Sequence, residues 1–209
     1  MAEVVELVLD DGTPHGLMIA NIPNWVGVVV SSPRALLDRL KTRNEVHRAG
    51  IYLLAGPDPE IDGATQTYIG EGDKIWDRIS DHHRNKDFWN IVIGITTTTA
   101  EADLSKSHIR YLEAKAIAQI KAIGRATLSQ NAPKLPKINE SMRIFMDTFY
   151  DKMIKLLPLL GYPYLTPIIE KSTSNENDGS FVFMVESKGV KARAVQTNSE
   201  LVVLKGSQA

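Results

Sequence analysis

Two short tripeptides each set a tyrosine near a glycine: Gly50-Ile51-Tyr52 and Tyr68-Ile69-Gly70. The first opens a short apolar strand, Ile51 to Ala55. The second closes a strand that runs from Thr65 to Ile69 and ends at Gly70. Gly56-Pro57-Asp58-Pro59 breaks the first strand, and a loop continues to Gly63. If the two strands pair as a hairpin, their tyrosines come to lie side by side at the sheet surface. A helix capped at Asp73 and running to about His83 follows at once. It carries Lys74, Arg78 and His82 at i, i+4 and i+8, which predicts one shared face. Ile75 and Ile79 supply its buried side. Two firmly cationic groups and a titratable imidazole thus line up just after the second tyrosine. An ordinary solvated helix face has the same charge pattern.

A long helix predicted from a Ser105 or Ser107 cap through Ile123, stopped at Gly124, adds a carboxylate. Its apolar stripe is Ile109, Leu112, Ala116, Ile117, Ile120 and Ile123. Glu113 falls inside that stripe or at its edge. A buried carboxylate without a partner costs several kcal/mol or more, on the order of its desolvation. A divalent cation would serve as partner, and so would a salt bridge to Arg78 or Lys74.

The elements that must position these groups can be read along the chain. Val4 to Leu9 and His15 to Ala20 are candidate strands around a turn at Asp10-Asp11-Gly12. Trp25 to Val30 is a third strand. Ser32-Pro33 reads as the start of a helix to about Arg43. Phe88 to Thr97 is an apolar strand, and Asn131 to Pro136 a linker. Ser141 to Leu160 is a helix with Ile144, Phe145, Phe149, Met153, Leu156 and Leu157 on one side. Lys171 to Ser180 reads as a polar linker, and Phe181 to Leu204 as a β-meander turning near Lys188-Gly189 and Asn198-Ser199.

Composition bounds the function. The chain has 209 residues, 43% of them hydrophobic, which is enough for a packed core. A net charge of -1 argues against a protein that coats nucleic acid through bulk positive charge. A local basic patch remains compatible with it: between Lys121 and Lys155 the basic residues outnumber the acidic ones. The absence of cysteine excludes disulfides, cysteine-ligated zinc and thiol nucleophiles. The N-terminus carries no signal-peptide pattern, and no apolar stretch is long enough to span a bilayer, so a cytoplasmic protein that does not enter membranes is expected.

Taken together, the order Gly-Ile-Tyr, Tyr-Ile-Gly, Arg ten residues later, His four after that, a helical Glu and then an Asn resembles the GIY-YIG nuclease family. The resemblance covers about Ala49 to Asn131. It implies an α/β (α+β) fold with a small antiparallel sheet flanked by helices. To that the chain adds an N-terminal β/α extension and a small C-terminal β unit. The expected division is an extension at 1–48, a nuclease domain at 49–135, a helical segment at 136–170, and a linker with the β unit at 171–209. Phe181 to Ala209 resembles the start of a small C-terminal domain of unknown function that follows some GIY-YIG domains. Asp11-Gly12-Thr13-Pro14 through Asn24-Trp25 resembles an N-terminal extension of the same branch.

The family's site residues carry over to Tyr52 and Tyr68 as paired active-site tyrosines and to Arg78 as a phosphate-contacting arginine. His82 matches a histidine found in many members, Glu113 the metal-binding glutamate, and Asn131 a late asparagine. Lys74, His83 and Arg84 are further candidates for nucleic-acid contact. The implied activity is hydrolysis of phosphodiester bonds, with DNA as the expected substrate and Mg²⁺ or Mn²⁺ at Glu113. In that scheme Tyr52 or Tyr68 orients or deprotonates the attacking water. A base role requires a tyrosine pKa lowered by roughly two to three units from its usual value near 10. The alternative is a catalytically inactive GIY-YIG fold that binds nucleic acid or protein.

Overall fold

The computed structural model describes residues 2–102, 104–131 and 133–167, together with the backbone of strands at 182–187, 190–196 and 201–203. Two compact units result, Met1–Pro167 and Ile168–Ala209.

The first unit is a mixed α/β fold built on one seven-stranded sheet. Its strands are β1 (Glu6–Leu9), β2 (Met18–Asn21), β3 (Gly27–Pro33), β4 (Gly50–Pro57), β5 (Thr65–Gly72), β6 (Ile91–Thr97) and β7 (Thr127–Leu128). Their order across the sheet is β1-β2-β3-β6-β4-β5-β7. Every pairing is antiparallel except that of β5 with the two-residue β7. The sheet is therefore larger than the small one expected. The N-terminal hairpin does not stand apart, because β3 pairs along its whole length with β6.

Among the described residues four α-helices cover the sheet: α1 (Leu37–Lys41), α2 (Ile75–Asn85), α3 (Lys106–Ile123) and α4 (Glu140–Leu156). Side chains alternate across each strand, so the inner strands feed two cores. On one face Tyr52, Leu54, Val30 and Val92 pack with Leu37 and Leu40 of α1 and Ile75 and Ile79 of α2. On the other, Ile51, Leu53, Ile69, Ile93 and Ile95 pack with α3 and α4. The central strand β4 is buried from Gly50 through Gly56, which accounts for its unbroken apolar run.

Local chemistry explains most boundaries and several departures from the expected ones. Ser105 caps α3 as read: its Oγ accepts from the His108 backbone N–H, and the Ser105 N–H donates to His108 Nδ1. Gly124 ends α3 in the left-handed region at φ 70°. Ser32-Pro33 does not open a helix. Both residues extend β3, opposite Val92 and Ile91, because the β-branched run before them continues its ladder. Only short helical turns follow, at Arg34–Leu36 and Leu37–Lys41. α2 starts at Ile75, and its N-cap is Lys74 rather than Asp73. α4 starts from Asn139, whose side chain accepts from the Met142 N–H. Its buried face is Met146, Phe149, Tyr150, Met153 and Leu156. Ile144 and Phe145, expected on that face, are 58% and 48% exposed, since the stripe through 146, 149, 150 and 153 leaves them on the outer side.

The second unit contains a three-stranded antiparallel meander, β8 (Val182–Ser187), β9 (Val190–Gln196) and β10 (Leu201–Val203), with β9 in the middle. This matches the strands read from the sequence. The expected linker at Lys171–Ser180 and both expected turns lie outside the described residues. No helix among the described residues is long and apolar enough to cross a membrane.

Candidate active site

The register of the β4–β5 hairpin brings the two tyrosines together. Tyr52 sits opposite Gly70 and Tyr68 opposite Leu54, so the tyrosines are diagonal neighbours on the face that carries α2. Their ring centroids are 6.1 Å apart. Gly70 is needed there for a steric reason. The Tyr52 ring lies across it, and a Cβ at position 70 would come within 2.2 Å of the Tyr52 hydroxyl. Gly72 meets a similar demand two residues further along β5, where a Cβ would lie 2.9 Å from Cγ of Arg78. The bare backbone of β5 thus makes room for two of the candidate site residues.

α2 then lays its polar side over the pair. His82 Nε2 is 2.8 Å from the Tyr52 hydroxyl, and the His82 ring stacks edge-on to Tyr68 at 4.7 Å. Tyr52 is wholly buried, while Tyr68 and His82 are half-buried. Burial, chiefly, and the neighbouring Tyr68 push the Tyr52 phenol well above its ordinary range, despite the opposing pull of Arg78. Tyr52 is therefore a neutral phenol in this state, and the expected lowering of a tyrosine pKa does not occur at Tyr52. Burial, reinforced by Lys86 and Arg78, lowers His82 to about 4, so its imidazole is neutral near pH 7. The Tyr52 oxygen also accepts from the Arg78 guanidinium, which can only donate, and its bond with Nε2 runs in the direction that the imidazole tautomer sets.

Arg78 is exposed and lies within electrostatic reach of Tyr52, Tyr68 and Glu113. It borders a cleft of about 540 Å³ together with Glu71, Gly72, Asp73, Lys74, Asp77 and Lys106. Lys74 lines this cleft from the N-cap, in extended backbone, and so is not on the helical face shared by Arg78 and His82.

Glu113 approaches from α3, on the other side of the sheet. It is half-buried at the edge of the helix's apolar face. Among the described residues it has no hydrogen-bond or ion-pair partner, so the salt bridge to Arg78 or Lys74 is not formed. Burial, and then the carboxylate of Glu71, raise its pKa to about 7, against the pull of Arg110, Lys106 and Arg78. Glu71 itself is paired with Lys106 at 2.7 Å and approached by Arg110 at 3.8 Å. Glu113 is thus the carboxylate with an unmet need for positive charge. Among the described residues no group of three or more His, Cys, Asp or Glu side chains forms a complete metal cage. A lone carboxylate with a second one close by does fit Mg²⁺ or Mn²⁺, ions that keep several waters and take phosphate oxygens as ligands. Comparison with protein families, curated proteins and solved structures finds no match, so the geometry alone speaks for the site.

The other candidate residues are placed differently. Asn131 is exposed, and no hydrogen bond or ion pair ties it to the tyrosines or to any other described residue. Its neighbour Gln130 docks on β5 instead, accepting from the Ile69 N–H at 3.0 Å and donating to the Ile69 carbonyl at 2.5 Å. His83 accepts at Nδ1 from Arg34 (3.2 Å), and Arg84 pairs with Asp81 (2.5 Å). Both are exposed, but each already has a polar partner. Farther along, Arg125 donates to the carbonyls of Pro163 and Thr166, and Lys155 pairs with Glu3, so these members of the basic stretch serve the fold. Sequence reasoning does not reach Glu71, Lys86 or Gln130 as site residues. Glu71 directly follows the second tripeptide, Lys86 lies four positions beyond His82, and Gln130 precedes Asn131.

Proposed function

We propose that the protein is a metal-dependent nuclease that hydrolyses phosphodiester bonds in DNA, with its site at the β5 edge between α2 and Glu113. The observation that carries this reading is the convergence itself. Two tyrosines on one face of the β4–β5 hairpin are in contact with a neutral histidine of α2, an exposed arginine stands beside them, and an unpaired carboxylate comes from the opposite layer. A solvated helix face would not hold His82 against a buried phenol, and a structural Glu113 would have a partner.

In this scheme Tyr52 fixes His82 rather than touching substrate, because it is fully buried and its hydroxyl is hydrogen-bonded to Nε2. In the tautomer that carries its proton on Nδ1, His82 offers a donor suited to a phosphate oxygen. Tyr68, half-buried, is the phenol that can reach a water and orient it for attack on phosphorus. Arg78 offsets the negative charge that builds on the phosphoryl oxygens as the water adds and the P–O bond breaks. Glu113 would hold Mg²⁺ or Mn²⁺, which supplies stabilisation of the leaving oxygen.

The test is cleavage of single- and double-stranded DNA with Mg²⁺, with Mn²⁺ and with EDTA, by wild type, Arg78→Ala and Glu113→Ala. Metal-dependent cleavage lost in both variants supports the reading. Absence of cleavage by wild type with either metal, or cleavage that survives Glu113→Ala, rejects it.

A further inference from the structure

Lys86 lies just past the end of α2, where the chain turns extended and its N–H still donates to the His82 carbonyl at 2.9 Å. Its ammonium sits 4.6 Å from the centroid of the Tyr68 ring, over the face. That ring in turn touches His82. The cation is half-buried, and among the described residues no carboxylate pairs with it. Its neighbours differ: Arg84 is matched by Asp81, and Arg34 is spent on Asp87, His83 and the Trp89 ring. Arg78 is likewise without an ion pair among the described residues. These two cations flank His82 in sequence, Arg78 four positions before it and Lys86 four after, and Lys86 lies over the Tyr68 ring that touches His82. An ammonium parked on an aromatic ring keeps most of its charge available to an incoming anion, and the ring fixes where that charge is.

Resting on the nuclease reading, we propose that Lys86 is a second phosphate-binding residue of the site. It contacts a phosphate flanking the one held by Arg78, on the far side of Tyr68 and His82. The site is then built for a polynucleotide strand, with α2 lying along its backbone, and not for an isolated phosphodiester. Lys86 contributes to binding the strand and leaves the chemistry at the scissile phosphate to the other groups.

The experiment measures binding of a short fluorescent DNA duplex in Ca²⁺ buffer between ~50 and ~200 mM salt, for wild type, Lys86→Ala, Lys86→Arg and Arg84→Ala. Hydrolysis of bis(p-nitrophenyl) phosphate, a diester with one phosphate, is followed in parallel with Mn²⁺. Lys86→Ala is expected to weaken DNA binding several-fold and to lower the slope of log K against log salt by about 0.9, the loss of one phosphate contact. Lys86→Arg should keep the slope, Arg84→Ala should match wild type, and Lys86→Ala should lose several-fold more on DNA than on the one-phosphate diester. An unchanged slope in Lys86→Ala, or a Lys86→Arg variant as weak as Lys86→Ala, overturns the proposal while leaving the nuclease reading standing. So does an equal loss on DNA and on the small diester, which marks a purely structural lysine. A wild type that shows no salt-dependent DNA binding at all overturns both.

Discussion

Replacing Gly70 by alanine adds one methyl group, and the structure fixes where it must go. The new Cβ would lie 2.2 Å from the Tyr52 hydroxyl oxygen and 2.4 Å from the carbon that bears it. An ordinary contact there needs about 3.5 Å, so the ring must retreat by about 1 Å. Tyr52 is wholly buried among Leu54, Ile75, Ile79 and Trp89, and has little room to give. Overpacking of this kind costs about 1–3 kcal/mol. Losing the Tyr52–His82 hydrogen bond adds about 0.5–1.5 kcal/mol. The expected destabilisation is therefore roughly 2–4 kcal/mol, and a displaced His82 should lower cleavage by on the order of 10²-fold. Gly94 provides the control. It flanks Tyr52 on the opposite strand β6, but a Cβ there would meet Ile75 and Val30 only at an ordinary 3.7 Å. Gly94→Ala should stay within about 0.5 kcal/mol of wild type and keep its activity. Denaturant melts and cleavage rates of the two variants settle the matter. If Gly70→Ala is as stable and active as Gly94→Ala, the packing of Tyr52 across β5 does not position His82.

Tyr52→Phe should leave His82 Nε2 without its hydrogen-bond partner and cost about 1–2 kcal/mol in denaturant melts, with cleavage reduced; unchanged stability and activity together would refute the pairing. His82, lowered to about 4 from an ordinary 6.5, takes up a proton in the unfolded chain before the folded one. Its contribution to stability is present above pH 6.5 and is lost as pH falls toward 4. An NMR titration should show the His82 ring still neutral at pH 5.5, and a midpoint near 6.5 would contradict this. Glu113 runs the other way: its carboxyl is raised to about 7, so the folded state holds the proton longer and stability falls as pH rises from about 4.5 to 7. Glu113→Gln should remove that fall, a gain of about 1 kcal/mol at pH 8 once discounted for solvent screening, and should abolish Mg²⁺-induced stabilisation in the same melts. A chain ending at Pro167 should retain the cooperative melt of the seven-stranded sheet, since that unit has its own core; aggregation or a melt many degrees lower would show that the two units depend on each other.

Much of the hairpin and its helix could be read in advance because the signals are local. Alternation places Tyr52 and Leu54 on one face, the Gly/Pro segment turns the chain, and the 3.6-residue period puts Arg78 and His82 together. Non-local pairing was not legible. Nothing in residues 27–33 announces that they bond to 91–97, so the sheet was expected to be small when β1–β3 in fact extend it. The two-residue β7 is too short to carry any period. Lys86 falls beyond the predicted end of α2, and only the extended backbone there returns it over Tyr68. Gln130 acts through a side chain on a distant backbone, a contact with no sequence periodicity at all. Burial of Tyr52 was the largest surprise for the chemistry. A base role requires a lowered tyrosine pKa, but at Tyr52 desolvation under α2 raises it against the pull of Arg78.

The location of the candidate site follows from where the sheet stops. α2 and α3 lie in different layers, and a central strand would keep their side chains apart. Among the described residues β7 pairs with β5 only at Gln66 and Thr67, so from Tyr68 to Gly72 β5 is an outer strand there. An open edge of this kind invites pairing with another chain. Gln130 blocks it by bonding both polar groups of Ile69 in place of a neighbouring strand. Past Ile69 the strand carries Gly70 and Gly72 toward α2 and Glu71 toward α3. The α2 face thereby gains the room that Tyr52 and Arg78 need, and Glu71 on the α3 face raises the affinity of Glu113 for positive charge. Groups from both layers can therefore meet around one edge. The tripeptide Tyr68-Ile69-Gly70 is then a set of three steric and bonding requirements: a phenol at the face, a buried anchor whose backbone holds Gln130, and a bare position beneath Tyr52.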